Sequence, residues 1–220
     1  MTGKANLKRD QAKALEDLEN FIYKSLPIVE ELEVDVLGGD RIKGVKINGD
    51  VIVGLELLHQ WLTTFPEPIK QLVFLKKLWL EGNKFQALPD FIGNLTSLQD
   101  LDLSRNTLTT LPESIGNLTS LQDLDLSRNT LTTLPESIGN LTSLKKLFLS
   151  FNHLTTLPES IGNLRSLEIL SINFNELKML PESIKNLKSL KKLYINNNQL
   201  DSNIKILLQQ LKKNGVNIER

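Results

Sequence analysis

The sequence predicts an α/β fold built as a solenoid of stacked repeats, with a helix-and-strand cap at the N-terminus and a helical cap at the C-terminus. Two observations predict it. Apolar residues recur with a period of 23, and residues 98–120 are repeated letter for letter in residues 121–143. A fixed period in this range is typical of chains in which each repeat is one unit that contacts only its neighbours.

The repeated frame reads L-x-x-L-x-L-x-x-N-x-L-x-x-L-P-x-x-I-x-x-L. It occurs in seven registers, which begin at Ile52, Leu75, Leu98, Leu121, Leu144, Leu167 and Leu190. The first register has Gln60 where the others have asparagine. Each repeat offers seven apolar positions but too little surface to enclose them, so neighbouring repeats are expected to share one continuous core.

Each repeat divides into two predicted segments. In LQDLDLSRN, Leu101 and Leu103 lie two residues apart, which predicts a short strand that buries both and exposes the residues between them. The Leu-Pro pair then starts a new segment, because the residue before a proline avoids helical backbone angles. Ile115 and Leu118 lie three residues apart, which predicts a short helical or irregular helical segment.

One asparagine recurs at the same position of six registers. These residues are Asn83, Asn106, Asn129, Asn152, Asn175 and Asn198. An amide side chain carries donors and an acceptor, and it can therefore bond backbone groups where the chain leaves the strand. We expect a buried ladder that holds the fold, in preference to a row of binding groups.

Residues 1–50 are predicted to form the N-terminal cap. Leu15, Leu18, Phe21 and Ile22 form an apolar stripe at helical spacing, which predicts a helix from Met1 to about Ser25. The segments ELEVDV, RIKGVKI and VIVGLEL alternate like strands, and Asn48-Gly49 is predicted to be a hairpin turn. An alternative role for the helix is dimerisation or targeting.

The repeats are assigned to residues 51–200 and the C-terminal cap to residues 201–220, all within one folded unit. Basic residues and a glycine follow the predicted C-terminal helix and indicate where it stops. The apolar face of that helix consists of Ile204, Leu207, Leu208 and Leu211. Val216 and Ile218 are expected to extend the pattern as a half-repeat, 23 residues after Leu193 and Ile195.

The frame resembles the leucine-rich repeat family over about residues 51–211. Its Leu-Pro-x-x-Ile-x-x-Leu half is similar to the 23-residue subclass found in cytosolic scaffolds of Ras-type GTPases and in bacterial repeat proteins. The resemblance implies a curved solenoid whose parallel strands line the concave face. It also implies a protein-binding scaffold, with a link to GTPase signalling.

Composition and motifs argue against several function classes. Lys+Arg and Asp+Glu are equal at 26 each, so no excess of basic charge attracts nucleic acid or an anionic membrane. The chain has no cysteine and two histidines, and no nucleotide-binding, hydrolase or metalloprotease motif occurs. We therefore expect no enzymatic activity, no cofactor and no bound metal, in a cytoplasmic protein without a signal peptide or membrane span.

The variable positions of the predicted strands carry the candidate binding residues. Five aromatic residues are expected on the outward face, namely Trp79, Phe148, Phe151, Phe174 and Tyr194. Exposed aromatic patches often mark interaction sites. We expect the three phenylalanines to lie close together, although strand propensity alone also favours aromatic residues.

An acidic strip is the second candidate feature. The two identical repeats present Asp100, Asp102, Asp123 and Asp125, together with Arg105 and Arg128. The strip is expected to select a partner with basic side chains, or simply to keep the surface soluble.

The sequence therefore favours a non-enzymatic module that binds a protein partner of unknown identity on its concave face, as a monomer in preference to a homodimer. The alternative is a structural or self-associating repeat scaffold, natural or of consensus design, with no specific ligand.

Overall fold

The computed structural model describes residues 4–24, 26, 28 and 44–219. In this part of the chain one nine-stranded sheet runs through the molecule, and its strands follow one another in chain order from β1 to β9. Strands β1 and β2 are antiparallel, and each later strand is parallel to the one before it. The predicted strand ELEVDV lies outside the described residues.

The strands are short, and those from β3 to β9 contain three residues each. Their bounds are β1 Gly44–Asn48, β2 Val51–Glu56, β3 Lys77–Trp79, β4 Asp100–Asp102, β5 Asp123–Asp125, β6 Lys146–Phe148, β7 Ile169–Ser171, β8 Lys192–Tyr194 and β9 Asn217–Glu219. From β2 to β8 every pair is offset by 23 residues, as Leu101 opposite Leu124 illustrates. The predicted register is confirmed for these strands.

The second half of each repeat forms one short 3₁₀-helix on the side opposite the strands. The bounds are Glu67–Gln71, Asp90–Asn94, Glu113–Asn117, Glu136–Asn140, Glu159–Asn163 and Glu182–Asn186. A proline in extended conformation precedes each of the six, from Pro66 before the first to Pro181 before the last. Pro112, for example, has φ −72° and ψ 151°. The short helical segments predicted after each Leu-Pro pair are thus confirmed.

The N-terminal helix α1, Arg9–Phe21, covers the open end of the first repeat. Its Leu15 and Leu18 are buried in the same core as the repeats. The buried Gln11 joins the two parts, because its side-chain nitrogen donates to the Gln71 carbonyl at 2.9 Å and its oxygen accepts from the Ile52 amide at 3.3 Å. These contacts make α1 a cap and leave its apolar stripe mostly unavailable for dimerisation.

The predicted hairpin joins β1 and β2. Asn48 pairs with Val51, so the two loop residues are Gly49 and Asp50, one position later than the predicted turn. Gly49 has a φ of 62°, a left-handed conformation that costs glycine little.

At the other end, helix α2 spans Ile204–Lys213, and β9 follows it. The predicted offset of 23 residues is wrong here. Ile218 pairs with Leu193, an offset of 25, and does not oppose Ile195. The reason is that α2 is longer than the 3₁₀-helices of the other repeats, so the chain returns to the sheet two residues later.

The asparagine column forms the predicted buried ladder. The side-chain amide of Asn129 donates to the carbonyl of Leu126 in its own repeat and to that of Leu103 in the preceding repeat, both at 3.0 Å. Its oxygen accepts from the Leu108 amide at 3.0 Å. Asn83, Asn106, Asn152, Asn175 and Asn198 make the equivalent three bonds. Each asparagine therefore fastens one repeat to the previous one.

A second contact locks the 3₁₀-helices together on the opposite side. A Cβ added to Gly139 would lie 2.5 Å from the Ser160 carbonyl oxygen of the next repeat and 2.6 Å from its Cβ. Gly93, Gly116 and Gly162 meet the following repeat's serine in the same way. The equivalent position of the last 3₁₀-helix is the exposed Lys185. Glycine is therefore required wherever two 3₁₀-helices approach this closely.

We predict that Asn129→Leu lowers the free energy of unfolding by about 1–3 kcal/mol, because one buried amide and two buried carbonyls lose their partner. Denaturant unfolding followed by circular dichroism measures the change. Asn140→Leu is the matched control, since Asn140 is exposed. Equal unfolding midpoints for the two variants would contradict the ladder.

We predict that Gly139→Ala destabilises the protein by about 1–3 kcal/mol, because the added methyl group forces the backbones of two repeats apart. Without that contact alanine would be the better helix former, so the sign of the change is diagnostic. Thermal unfolding compares it with Lys185→Ala, which is expected to be neutral. A stabilised Gly139→Ala protein would show that the contact does not exist.

Candidate functional site

The outward side chains of strands β3–β6 form two parallel rows on the strand face. The first residues of these strands form row A, which reads Lys77, Asp100, Asp123, Lys146. The third residues form row B, which reads Trp79, Asp102, Asp125, Phe148. Neighbouring members of a row lie about 4.8 Å apart because that is the spacing of paired strands. The repeat thus presents two aspartates twice, side by side.

The two rows enclose a depression of about 240 Å³ at the middle of the strand face. The residues that line it are Trp79, Asp100, Asp102, Asp123, Leu124, Asp125 and Phe148. All four predicted acidic residues and two of the five predicted aromatic residues are therefore brought together. The wall is mixed in character, with carboxylates between an indole at one end and a phenyl ring at the other.

Basic groups compensate only some of these acids. Lys146 pairs with Asp123 at 2.8 Å, and Arg105 pairs with Glu81 beside the depression at 3.2 Å. Asp102 and Asp125 form no ion pair within the described residues. The Ser104 amide donates a hydrogen bond to Asp102 at 2.9 Å, and the Ser127 amide donates one to Asp125 at 2.8 Å.

Burial makes these carboxyl groups hard to ionise. The pKa of Asp102 is raised from its ordinary 3.8 to about 6, and loss of solvation is the largest cause. The negative charge of Asp125 raises this pKa further, whereas the hydrogen bonds from Ser104 lower it. The pKa of Asp125 is raised for the same reason, and the pKa of Asp100 is raised although the Trp79 side chain donates a hydrogen bond to it. In their ionised form Asp100, Asp102 and Asp125 are therefore costly to the fold.

Trp79 is not the exposed ring that the sequence predicted. Its exposed fraction is only 4%, because Leu58 packs against it and the Lys77 ammonium lies 5.3 Å from the ring centroid. The side chain lies on the strand face as expected, but its neighbours cover it. Trp79 forms the end wall of the depression, and its role in binding stays a prediction.

A second surface follows the strand ends. Arg105, Arg128, Phe151 and Phe174 each directly precede the ladder asparagine of their repeat, and all have φ between 54° and 60°. The left-handed backbone points successive side chains the same way, at a cost of about 1–2 kcal/mol for each residue other than glycine. We call these four residues the ridge.

The ridge is a stack of flat groups. The rings of Phe151 and Phe174 lie 4.3 Å apart and within 9° of parallel, and the Arg128 guanidinium carbon lies 4.4 Å from the Phe151 centroid. Phe151 and Phe174 remain 40% and 44% exposed. Phe148 forms no aromatic ring contact with either of them within the described residues, and the closeness of all three rings stays a prediction. Phe148 is half-buried and lines the depression.

Tyr194 lies apart from both surfaces. It is half-buried in β8, where it pairs with Ser171 and Glu219. Sequence reasoning missed Trp61, which is 70% exposed and holds the Lys84 ammonium 4.8 Å from its ring centroid. The signal was present, since later repeats carry lysine, threonine, histidine, glutamate or glutamine at that position.

Comparisons with known proteins agree with this geometry. A profile of the leucine-rich repeat region matches residues 66–152, and a leucine rich repeat profile matches residues 142–200. The chain belongs to the leucine-rich repeat family. No curated protein matches its sequence.

Solved structures with the same repeat are similar over most of the chain. The leucine-rich repeat ectodomain of the membrane receptor kinase GASSHO1/SCHENGEN3 from Arabidopsis thaliana, in complex with Casparian strip integrity factor 2, is 30% identical with a TM-score of 0.60 over 68% of this chain. The PEPR1–AtPEP1 structure is 31% identical with a TM-score of 0.62 over 70%. A leucine-rich repeat protein of Leptospira interrogans is 29% identical over 76%, with a TM-score of 0.48.

The chain spans only part of each of these proteins, namely 54% of the Leptospira protein, 19% of the GASSHO1/SCHENGEN3 chain and 25% of PEPR1. Neither α1 nor α2 has the length and apolar character needed to cross a bilayer, and the same holds for every other helix in the described residues.

We predict that Asp102→Asn raises the free energy of unfolding at pH 7 by about 1–2 kcal/mol, because asparagine still accepts from Ser104 without a buried charge. The folded protein holds the Asp102 proton up to about pH 6, whereas the unfolded chain releases it near pH 4. The stability that this proton supplies is complete below about pH 4 and lost as the pH rises past 6. The gain from the substitution should therefore vanish at pH 4.

Urea unfolding at the two pH values measures this difference. Asp201→Asn is the matched control, because exposed Asp201 also accepts a backbone bond from the residue two positions on, Asn203. A gain of equal size at both pH values, or a loss at pH 7, would show that Asp102 is not a cost to the fold.

Proposed function

We propose that this protein is a non-enzymatic interaction module that binds a partner protein on its strand face, the concave face of the solenoid. The family relationship supports this, since one similar ectodomain is recorded in complex with Casparian strip integrity factor 2. Short strands held by a rigid ladder suit recognition, because the side chains between the leucines can vary without altering the scaffold.

The observation that carries the proposal is the stacked, exposed pair Phe151 and Phe174. Two large aromatic rings that are each two-fifths or more exposed leave apolar area in water, although a folded chain would gain by covering it. Aromatic residues with arginine beside them are also the commonest energetic centres of interfaces. The ridge would anchor the partner, with Phe148 as a third apolar contact in the adjoining depression.

The aspartates would select the partner. Asp100, Asp102, Asp123 and Asp125 favour basic side chains and disfavour acidic ones, and such complementarity governs specificity more than affinity. Trp79, Arg105, Arg128 and Tyr194 complete the surface that the proposal assigns to binding.

In this proposal the protein acts as a monomer in a reducing, cytoplasmic compartment. The absence of cysteine is compatible with such a compartment. The resemblance to scaffolds of Ras-type GTPases makes a GTPase-linked signalling partner the first class to try.

The second candidate is a structural or self-associating scaffold, favoured by the verbatim repeat of residues 98–120. Light scattering over a range of concentrations tests self-association, and partner capture in pull-downs separates an idle scaffold from an interaction module. A mass that grows with concentration supports self-association, and a constant monomer mass supports an external partner or an idle scaffold.

We predict that Phe151→Ala or Phe148→Ala weakens partner binding by about 1–3 kcal/mol and leaves the fold intact, because neither ring lies in the main core. The partner is first captured from a cytosolic extract with the unmodified protein and identified. Calorimetry with the purified partner then gives the affinity of each variant.

Ile206→Ala is the matched control, because Ile206 is a 68% exposed apolar residue on α2, away from the ridge. Binding that is equal in all four proteins would remove the aromatic anchor from the proposal. A loss in the Ile206 variant alone would move the interface to the C-terminal cap.

A further inference from the structure

Rows A and B differ in what stands at their ends, although the same two strands supply the aspartates of both. Row A ends in Lys77 and Lys146, so its two carboxylates lie between two cations of the chain itself. Row B ends in Trp79 and Phe148, so its two carboxylates lie between two aromatic rings. The acidic pair of row A is therefore flanked by cations at both ends, whereas the acidic pair of row B is flanked by none.

Row A is neutralised within the molecule. Lys146 contacts Asp123 at 2.8 Å, and Lys77 and Lys146 both act on Asp100 to favour its charged form. In row B the strongest charge effects on Asp102 come from Asp125 and Glu81, and those on Asp125 come from Glu81 and Asp100, all of the same sign. Arg105, a ridge cation, pairs with Glu81 at 3.2 Å. Row B thus lacks the cation that completes row A.

The free acceptors of row B suit one particular cation. The Ser104 and Ser127 amides donate to the Oδ1 atoms of Asp102 and Asp125, and the Ser127 hydroxyl donates to the same Oδ1 of Asp125. The Ser104 side chain also hydrogen-bonds Asp102. The Oδ2 atom of Asp125 accepts no hydrogen bond within the described residues. Paired strands hold the backbones of the two aspartates about 4.8 Å apart. A guanidinium group is planar and carries its N–H donors along its edges, so it can bridge two carboxylates, whereas an ammonium is a compact point charge.

The remaining walls fit the same group. Phe148 offers a half-buried ring beside Asp125, and arginine stacks on aromatic faces, as Arg128 already does on Phe151 at 4.4 Å. Trp79 and Leu124 close the depression, whose 240 Å³ accommodates the end of one long side chain and excludes a folded element.

We propose that row B receives one arginine side chain from an extended segment of the partner, with its guanidinium bridging Asp102 and Asp125 and its plane against Phe148. This inference rests on the proposed function, since it concerns the same face, and it adds the chemistry of the partner. Docking would supply the positive charge that the two identical repeats lack in this row.

The probe is the peptide acetyl-Gly-Ser-Arg-Ser-Gly-amide, titrated into the full chain labelled with ¹⁵N at pH 7 and low salt. The expected result is a set of amide shifts confined to strands β3–β6 and to Ser104 and Ser127. The affinity is expected to be about tenfold above that of the same peptide with citrulline, which has the shape of arginine without its charge. The lysine peptide should bind more weakly than the arginine peptide, and added salt should weaken both.

Asp102→Asn/Asp125→Asn is the test variant, and it should abolish the difference between the arginine and citrulline peptides. Asp90→Asn/Asp201→Asn removes the same charge from exposed positions off the strand face and should leave the difference unchanged. Equal binding of arginine and citrulline peptides, equal binding of lysine and arginine peptides, or shifts away from β3–β6 and the two serines would each overturn the inference.

The arginine site and the proposed function can fail independently of each other. A captured partner that depends on Phe151 but binds the Asp102→Asn/Asp125→Asn protein with unchanged affinity would contradict the arginine site and leave the interaction module standing. Arginine-specific shifts in a chain whose partner binds elsewhere would contradict the proposed interface and support the subsite.

Discussion

The rest of the structure depends on one hydrogen-bonding pattern, in which an asparagine amide bonds backbone groups of its own repeat and of the repeat before it. A strand of three residues has few hydrogen bonds of its own, and a single repeat cannot enclose its leucines. Because the amide must reach back to a carbonyl 26 positions earlier, as Asn129 reaches Leu103, it fixes the spacing of the repeats and not only their internal shape. The glycine–serine contacts impose the same spacing on the opposite side.

This rigidity allows the strand face to hold arrangements that are unfavourable by themselves. The ridge keeps four side chains on left-handed backbone, and row B keeps two carboxylates in positions that burial disfavours. Both costs fall on residues whose side chains face outward, while the leucines behind them are almost completely buried. Unfavourable local choices at outward positions of an otherwise consistent fold are typical of functional surfaces.

Much of the fold could be predicted because the spacing of the leucines has a direct physical meaning. The alternation around Leu101 and the period of 23 were sufficient to pair β2 to β8 and to separate inward from outward positions. The offset of β9 could not be predicted, because it depends on the length of α2 and not on the repeat. The same limit applies to the site, where the four aspartates were assigned correctly to one face but the burial of Trp79 depends on Leu58 and Lys77 from neighbouring positions. The stacking of Phe151 on Phe174 depends on the left-handed backbone of both residues, which no apolar pattern encodes.

The perfect copy of one unit gives the acidic surface an adjustable width. Excision of residues 98–120 would join residue 97 to Leu121 in an unchanged frame, and the ladder and the glycine–serine contacts would close across the junction. Row B would then read Trp79, Asp125, Phe148, with a single carboxylate between the aromatic residues. A further tandem copy would place three there. Gain or loss of one module would thereby change the charge of this surface in whole steps, with no substitution at any position.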